Sequence, residues 1–515
     1  MRLYVIAGEA SGDAIGAKVL AALRRTARSP ERSLDRLTIR GIGGPLMCAE
    51  GRFESLFPMH ELSVMGLVEV LPAVWRIRRR LNDTIQDIRA FQPDVVLTID
   101  SKGFSFRVQR ALADDPSLRQ SVKRMHYVAP SVWAYKHRQR RSAASHAGLR
   151  ALLDKMFVIL PFEPVLFNTA DEDPESAWCQ FVGHPAVEDF LDVNGAFDRE
   201  IVKKPIGSSL ETEDDALLRS IVLNPGSLEL IRRRGELFHA LMADGRDAMK
   251  KKQYRQQNDF PSDAFIVCAL VGSRENEVRQ TIRIVLQALE QFHEQPFPRR
   301  PASSSSASLL GMQLSRLTSG CVSRRPIHIV FPTIQNVEDI VQEEINQHTP
   351  RSSMYQSQLR VVSNLDAASR SHLFQSADAA IAVSGTIVTE TALSALPTIV
   401  IYRANRITEW LATKLSAVRF VSIPNLLLGR PVIPELLFRN CSSDKIADAL
   451  RGIYNKEVGD STKESDQEQI AMAMSTLSQW THPTDPASRG RPTRGSDQVA
   501  EFVWTALTDS IRTKR

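Results

Sequence analysis

The sequence predicts an α/β protein built from two blocks, each with a parallel β-sheet that is buried on both faces. In residues 1–190 and again in 263–455, short apolar runs alternate with helical stretches, which is the pattern of βαβ units. The 515 residues are 43% hydrophobic and 24% charged, enough for about two or three domains with large cores. Residues 191–262 mix basic and acidic runs without a sustained strand signal. We therefore expect a linker or insertion between the two blocks.

Six strands are predicted in each block. Those of the first block are RLYVIA (2–7), LTIRGIGG (37–44), PDVVLTID (93–100), RMHYVAP (124–130), KMFVILPF (155–162) and CQFVGHP (179–185). Those of the second are AFIVCALVGS (264–273), IHIVFPT (327–333), QLRVVS (358–363), AAIAVSGT (379–386), PTIVIYR (397–403) and VSIPN (421–425). The Ser- and Pro-rich stretch 296–326 predicts a disordered insertion, and 456–515 predicts a polar tail ending in an apolar helix.

The cysteine content, the apolar runs and the spacing of potential metal ligands exclude several function classes. The five cysteines lie far apart and form no CxxC pair, so neither a disulfide framework nor a zinc ribbon is expected. No apolar run reaches the roughly 18 to 20 residues of a spanning helix, and the N-terminus lacks the charged and apolar regions of a secretory signal. No HExxH or HxH spacing occurs, and Asp171-Glu172-Asp173 lies in a polar loop. We expect no metal and no cofactor.

An aromatic and basic run at 126–141, HYVAPSVWAYKHRQRR, could stack on bases and bind phosphates. It is short, and no RNA-binding signature accompanies it. No nucleic-acid partner is predicted.

Asp100 is a candidate general base because it ends the apolar strand VVLTI. In open parallel sheets ligands lie beyond the carboxyl ends of the strands, so a carboxylate at this position faces the cleft. As a base it needs to reach a hydroxyl proton within hydrogen-bond distance. The alternative is an aspartate that caps a helix or orders the loop.

The turn GSRENEV (272–278) is a candidate phosphate site, since Gly272, Ser273 and Arg274 follow an apolar strand and precede a helix. Glycine allows close approach of the backbone, the helix N-terminus offers N–H donors, and arginine supplies a forked cation. A plain βα turn with a surface arginine explains the same residues.

The turn SGTIVTE (384–390) repeats this arrangement after the strand AAIAV. In a nucleotide site Ser384, Gly385 and Thr386 would hold phosphate, and Glu390 could accept from ribose hydroxyls. The alternative is a helix cap with a glutamate one turn further on. Two such turns in one Rossmann-like block favour a nucleotide-diphosphate site.

The segment 63–81, SVMGLVEVLPAVWRIRRRL, combines bulky apolar residues with a basic end. Such a composition fits an amphipathic segment that contacts a membrane. From the residues alone we favour the alternative, a core helix that is interrupted near Pro72 and has a solvated basic end that the helix dipole also favours.

The stretch AGEASGD (7–13) opens the chain's first helix directly after its first strand. Gly8 and Gly12 suggest a phosphate-binding turn, but the two phosphate candidates lie in the second block. Glu9 is instead predicted to be a cleft carboxylate near Asp100, and helix capping is the alternative role for Ser11 and Asp13.

Several motifs, in order along the chain, resemble those of the lipid-A-disaccharide synthase family. They are AGEASGD, GIGGPLMCAEG (41–51), LFPMHELSVMGLVEVLP (56–72), HYVAPSVWAY (126–135), LPFEP (160–164), FVGHP (181–185), GSRENEV, SGTIVTE and SIPNLLLGRPVIPELL (422–437). The resemblance covers most of residues 1–190 and 263–455.

The resemblance implies an inverting glycosyltransferase in which two Rossmann-like domains face each other across a cleft, the GT-B fold. The reaction it implies joins UDP-2,3-diacylglucosamine to 2,3-diacylglucosamine 1-phosphate and releases UDP. Asp100 falls on the family's proposed base, and Arg274 with the 384–386 turn would stabilise the leaving UDP. Glu9 would orient the acceptor or tune the base. Glu390 would hold the ribose, and Asn425 falls on a donor-site motif.

Lipid substrates favour a membrane or acyl-chain role for the segment 63–81. The residues predicted to serve that role are Met65, Leu67, Val68, Leu71, Trp75 and Arg76. The implied partners are acylated glucosamine lipids, UDP, an anionic membrane surface and a second copy of the chain. The implied location is peripheral, on the cytoplasmic side of a membrane, or in a mitochondrion or other organelle of a eukaryote.

Two other interpretations remain open from the sequence. A UDP-N-acetylglucosamine 2-epimerase-like enzyme would share the two-domain architecture and produce an epimer without an acceptor. A peripheral membrane protein with a non-catalytic UDP pocket would bind lipid without turnover.

Overall fold

A computed structural model shows two compact units, each with its own parallel sheet. The structure describes residues 1–27, 32–62, 70–131, 147–169, 171–173, 176–197, 226–294, 325–348, 358–403, 409, 419–456, 462–480 and 492–513. Unit 1 comprises Met1–Ala243, Asn405–Val432 and Thr462–Arg515, and unit 2 comprises Asp244–Ala404 and Ile433–Ser461. The predicted α/β class with two Rossmann-like parallel sheets is confirmed.

The sheet of unit 1 has six strands in the order β2-β1-β3-β4-β5-β6. They are β1 (Arg2–Ala7), β2 (Thr38–Ile42), β3 (Val95–Ile99), β4 (Lys123–Tyr127), β5 (Lys155–Val158) and β6 (Cys179–Phe181), all paired in parallel. Its helices are α1 (Ala10–Arg25), α2 (Pro45–Gly51), α3 (Val70–Phe91), α4 (Lys102–Asp114), α5 (Pro116–Ser121), α6 (Ala147–Leu152), α7 (Glu163–Phe167), α8 (Pro185–Val193) and α9 (Gly226–Gly245), which ends at the unit boundary.

Both faces of this sheet are buried, as β1 illustrates. Leu3 and Val5 point into a core shared with α1, whereas Tyr4 and Ile6 point into a second core shared with α3 and α4. Because side chains alternate along a strand, a run that is apolar at every position must be covered on both faces.

The sheet of unit 2 also has six parallel strands, in the order β12-β11-β10-β7-β8-β9. They are β7 (Phe265–Leu270), β8 (Ile327–Thr333), β9 (Leu359–Ser363), β10 (Ala379–Val383), β11 (Thr398–Tyr402) and β12 (Glu435–Leu437). Its helices are α10 (Ala248–Gln257), α11 (Glu275–Glu294), α12 (Gln335–His348), α13 (Ala367–Ser376), α14 (Thr386–Leu393) and, later in the chain, α16 (Ser443–Lys456).

The chain returns to unit 1 for several late elements. They are α15 (Ile423–Leu428), α17 (Thr462–Ser475), the antiparallel pair β13 (Gln479–Trp480) and β14 (Pro492–Thr493), and α18 (Gly495–Thr513). Helix α18 carries the fully buried Trp504, whose Nε1 donates to the Leu23 carbonyl of α1 at 3.1 Å. Helix α18, which includes the apolar helix predicted after the polar tail, therefore contributes to the core of unit 1.

One predicted strand is wrong. VSIPN (421–425) begins helix α15 instead, and the sixth strand of unit 2 is β12. Pro424 lies in the first turn of the helix, where its missing N–H and fixed φ fit, and Ser422 precedes the helix as its N-cap residue. The predicted linker 191–262 contains helices α9 and α10, and the predicted disordered insertion lies almost entirely outside the described residues.

Candidate functional site

Each sheet has one point at which the strand order reverses, and the candidate residues lie there. In unit 1 the chain runs from β1 outward to β2 and returns to β3 on the other side of β1. In unit 2 it runs from β7 through β8 and β9 and returns to β10 on the other side of β7. Connections diverge at such a point and leave a crevice at the carboxyl ends of the two strands, where α/β proteins bind ligands.

At the reversal point of unit 1 lie Glu9 and Asp100. Ala7 and Ile99 are paired as the last residues of β1 and β3, and the two carboxylates follow these strands by two residues and one residue. Both side chains are half-buried. Glu9 is the N-cap residue of α1 but makes no capping bond with its side chain, and its Oε1 accepts from Ser11 Oγ at 3.2 Å.

The turn that carries Asp100 is conformationally strained. Asp100 (φ 47°) and Ser101 (φ 46°) both adopt left-handed backbone angles, and so does Val128 (φ 75°), just after the neighbouring β4. Each such residue costs on the order of 1–3 kcal/mol, and this strain clusters at functional sites. The Asp100 N–H donates to the Tyr127 carbonyl at 2.9 Å, which ties the turn to β4.

Gly8 closes the turn from the side of β1. A Cβ atom at Gly8 would lie 2.2 Å from Ser101 Oγ and 2.6 Å from Ser101 Cβ. Only a residue without a side chain fits between the two strand ends. Gly8 of AGEASGD therefore lets the loop after β3 approach closely, and it also lies directly before the start of α1.

Asp13 has a different role from Glu9. It is 3% exposed and accepts from three backbone N–H groups at the start of α2, those of Gly44 (2.9 Å), Leu46 (3.1 Å) and Met47 (2.9 Å). Burial raises the pKa of its carboxyl group, and the three donors oppose that rise. It therefore caps a helix, as one of the two sequence interpretations held, but the helix is α2 and not its own.

A buried polar cluster lies below the Asp100 turn, and sequence reasoning missed it. Thr98 Oγ1 on β3 lies 2.8 Å from His126 Nδ1 on β4, and Gln109 Nε2 on α4 donates to Thr98 Oγ1 at 3.0 Å. His126 is fully buried, and its pKa is lowered to about 4 by that burial. The polar residues inside the apolar runs VVLTI and RMHYV were the only signal for this cluster.

At the reversal point of unit 2 the two predicted phosphate turns lie side by side. Leu270 of β7 pairs with Ala382 of β10, so GSR and SGT follow adjacent parallel strands. Gly385 and Thr386 are exposed, and a Cβ atom at Gly385 would meet nothing within 4 Å. Arg274 lies at the start of α11, where its carbonyl accepts from the Val278 N–H at 2.9 Å. This arrangement leaves open space beside backbone donors and a cation, as an anion site requires.

Glu277 and Tyr402 lie at this turn as well, and the sequence did not single them out. Glu277 Oε2 accepts from the Ser273 N–H at 3.1 Å, so that predicted phosphate donor is already engaged. Gly272 has φ 119°, and a Cβ there would lie 2.5 Å from the same oxygen. Burial raises the pKa of Tyr402 at the end of β11; Glu277 raises it further and Arg274 lowers it.

The other two predicted UDP-sugar residues are held by protein groups. Glu390 on α14 forms an ion pair with Arg370 on α13, at 2.5 Å between Oε2 and Nε. Asn425 is fully buried in unit 1, where its Oδ1 accepts from the Val432 N–H at 2.9 Å. Asn425 thus lies in a different unit from GSR and SGT, because the chain crosses back before α15.

The predicted lipid-contact segment is described only in part. Met65, Leu67 and Val68 lie outside the described residues, as does the side chain of Leu71. Trp75 is 77% exposed and lies beside the exposed Arg76 on α3. The opposite face of α3 packs through Ile77, Leu81, Ile85 and Ile88 on the core. Pro72 lies in the first turn of this helix and does not interrupt it.

Metal-binding clusters and membrane-spanning helices are both absent from the part of the chain that the structure describes. Within them, no group of three or more His, Cys, Asp and Glu side chains is placed to hold a metal ion. Glu172 of the Asp-Glu-Asp triplet accepts from the Trp178 N–H at 3.1 Å and pairs with Arg150. Among the same residues no helix is long and apolar enough to cross a membrane. Residues 132–141 of the predicted aromatic and basic run 126–141 lie outside the described residues.

Comparisons with known proteins identify a family and relatives that this chain resembles over most of its length. The sequence model of a family described as Lipid-A-disaccharide synthetase matches residues 3–203 and 326–482. The lipid-A-disaccharide synthase of Granulibacter bethesdensis is 32% identical over 461 residues, covering 88% of this chain and 86% of that protein. A probable mitochondrial lipid-A-disaccharide synthase of Arabidopsis thaliana is 30% identical over 460 residues, covering 89% of this chain and 80% of that protein.

Solved structures give weaker likenesses. The UDP-GlcNAc 2-epimerase of Neisseria meningitidis bound to UDP-GlcNAc has a TM-score of 0.48 at 12% identity, covering 98% of this chain and 100% of that one. The spinosyn rhamnosyltransferase SpnG complexed with thymidine diphosphate has a TM-score of 0.43 at 10% identity, covering 98% and 99%. At these values neither likeness bears on the activity.

Proposed function

The chain belongs to the lipid-A-disaccharide synthase family, and from that premise we propose how its residues carry out the reaction. It is a glycosyltransferase, a hexosyltransferase that forms the lipid A disaccharide. The family match across both units is the single observation that carries this function, and it does not favour the epimerase alternative. The donor we propose is UDP-2,3-diacylglucosamine, and the acceptor is 2,3-diacylglucosamine 1-phosphate.

Asp100 is the general base of the proposed mechanism. Its carboxylate takes the proton of the acceptor 6-hydroxyl as the oxygen attacks C1 of the donor sugar. The bond from C1 to the UDP oxygen breaks in the same in-line step, so configuration inverts and no enzyme nucleophile is needed. Support comes from its place at the strand-order reversal and from the strained turn that holds it. Glu9, at the end of the adjacent strand, orients the acceptor.

Arg274 and the SGT turn bind the UDP diphosphate and stabilise the charge that develops on it as UDP leaves. The open space beside Gly385 and the exposed Thr386 support this assignment. Glu390 reaches the ribose hydroxyls while Arg370 holds its carboxylate in place. Asn425 is a proposed donor-site residue on the family resemblance alone, and within unit 1 its Oδ1 accepts from the Val432 N–H. No metal takes part in the proposal, and unchanged turnover in a chelating buffer is the expected result.

Turnover of the defined donor and acceptor by wild-type and Asp100→Ala protein tests the proposal. Loss of a general base is expected to lower kcat by about 10²- to 10⁴-fold. The control is Asp114→Ala, which changes the aspartate at the far end of α4, the helix that follows the Asp100 turn, and is expected to retain turnover. Wild-type kcat in Asp100→Ala would refute the base assignment. An epimer formed from the donor alone would refute the transferase function.

The lipid substrates also lead us to propose that the protein binds membranes peripherally, on the cytoplasmic side or in an organelle such as the mitochondrion. Trp75 supports this, since an exposed tryptophan beside arginines fits the interface of an anionic bilayer. A homodimer is part of the same proposal, and sedimentation of the full chain tests it.

A further inference from the structure

Ser105 lies in the first half of α4, and its side chain turns back toward the loop that carries Asp100. It is fully buried, and its Oγ donates to the backbone carbonyl oxygen of Asp100 at 2.7 Å. Nothing in the sequence separates this serine from its neighbours in DSKGFSF. Only the fold brings its hydroxyl to the turn.

The bond differs from those of two other buried helical hydroxyls of unit 1, Thr84 and Ser475. Thr84 donates to the carbonyl four residues earlier in its own helix, and Ser475 to the carbonyl three residues earlier. Ser105 reaches back five residues, past the first residue of α4, to a residue outside the helix. Its hydrogen bond therefore restrains the turn and not the helix.

The peptide group between Asp100 and Ser101 connects this hydroxyl to the carboxylate. Its oxygen accepts from Ser105, and its N–H donates to Oδ1 of Asp100 at 2.7 Å. A peptide group is a rigid plane, so a rotation that moves its oxygen also moves its N–H. Fixing the oxygen thus fixes the donor that orients the carboxylate.

The left-handed angles of Asp100 and Ser101 make such a restraint necessary. A strained peptide group relaxes unless the surrounding structure determines its orientation. Tyr127 holds the Asp100 N–H, and Gly8 confines Ser101 from the other side. The contact with Ser105 restrains the carbonyl oxygen between them.

We propose that Ser105 is a positioning residue that, through the Asp100–Ser101 peptide group, aims the Asp100 carboxylate at the acceptor hydroxyl. The inference rests on the proposed role of Asp100 as the base. Ser105 itself touches neither substrate nor proton, and its hydroxyl acts only by holding the peptide plane.

The matched pair Ser105→Ala and Ser475→Ala tests this role. Both serines are fully buried in unit 1, and both donate to a backbone carbonyl at 2.7 Å. We expect similar small changes in Tm for the two variants. A misdirected catalytic group costs rate at little cost to binding, so Ser105→Ala is expected to lower kcat at least about tenfold, with KM for both substrates within about twofold. Ser475→Ala is expected to leave kcat at the wild-type value.

Two further variants separate positioning from structure. Ser105→Thr retains the hydroxyl and is expected to recover most of kcat, whereas Ser105→Cys keeps the volume with a weaker donor and is expected to fall between serine and alanine. In an Asp100→Ala background, Ser105→Ala is expected to cause no further loss of the residual turnover, because its effect passes through that carboxylate.

Three outcomes would overturn the inference. One is a kcat for Ser105→Ala equal to that of Ser475→Ala, and another is an equal loss of kcat with and without Asp100. The third is a loss of kcat in Ser105→Ala that its lower Tm fully explains and that Ser105→Cys does not show. Each leaves the base assignment standing, since that depends on Asp100→Ala alone in the wild-type background.

Discussion

Two buried histidines of unit 1 are predicted to make its stability depend on pH between 7 and 5. His126 lies on β4 below the Asp100 turn, and His184 precedes α8, where its Nδ1 accepts from the Ala186 N–H at 3.2 Å. Burial lowers the pKa of His126 to about 4 and that of His184 to about 3. Nε2 of each is buried without a hydrogen-bond partner among the described residues, so none of these residues accepts a proton placed on that nitrogen.

The magnitude follows from linkage. An unfolded histidine titrates near 6.5, so below that pH the unfolded chain binds protons that the folded state does not, and the free energy of unfolding falls with pH. At pH 5 the unfolded side chain is almost fully protonated, and each histidine has cost about 2 kcal/mol relative to pH 7. Together they remove about 4 kcal/mol, a large fraction of a typical domain stability. The loss levels off only below the folded pKa values.

The assay is urea unfolding at pH 7, 6 and 5. Hydrogen exchange of peptides from β4 is the readout, so that unit 1 is observed alone. His126→Gln and His184→Gln should each remove about half of the pH dependence, even if each also lowers stability at pH 7. The reasoning would be refuted by a wild-type free energy that is flat between pH 7 and 5. A slope that persists in the double variant would refute it equally, because other groups would then be responsible.

Three further predictions concern a helix cap, the phosphate turn and the membrane surface. Asp13→Ala leaves three backbone donors of α2 without their acceptor and is expected to lower the free energy of unfolding of unit 1 by about 2 kcal/mol in urea titrations; an unchanged midpoint would contradict this. Gly385→Ala adds a methyl group where nothing lies within 4 Å, so Tm should hold while calorimetry shows UDP affinity reduced about tenfold, the cost of blocking close backbone approach. Gly452→Ala, equally unhindered, is its control and should leave UDP binding unchanged. Trp75→Glu should reduce sedimentation with phosphatidylglycerol vesicles, whereas Met249→Glu, at 74% against 77% exposure, should not; equal effects would argue against a specific surface.

Most of the sheet architecture could be predicted from apolar runs. Eleven of the twelve predicted strands overlap observed strands, since a strand buried on both faces must be apolar at nearly every position. The exception, VSIPN, carries the same residue types, but Ser422 and Pro424 suit a helix start better than a strand. Local composition thus contained both signals, because the apolar residues beside Ser422 and Pro424 fit a strand as well as a helix.

Side-chain roles within the motifs were harder to predict. Asp13 and Glu9 lie in one seven-residue motif, yet one caps a distant helix while the other lies at a strand end near Asp100. Asp13 Oδ1 accepts from the Gly44 N–H, 31 positions away in the sequence, and Glu390 pairs with Arg370, 20 positions away. A linear pattern gives the residue type and its place relative to a strand end, but not which distant group it meets.

The sequence by itself determined the two parallel sheets, the strand-end positions of Asp100, GSR and SGT, and the family, because apolar periodicity and glycine-bearing turns are local properties. Tertiary structure alone decided which strand ends are neighbours, that the end of the chain completes the core of unit 1, and that Ser105 reaches the Asp100 turn. The physical reason is that hydrogen bonds and close packing depend on distances of a few ångströms between atoms far apart in sequence. Those distances are fixed only when the sheets have formed and the late helices pack against them.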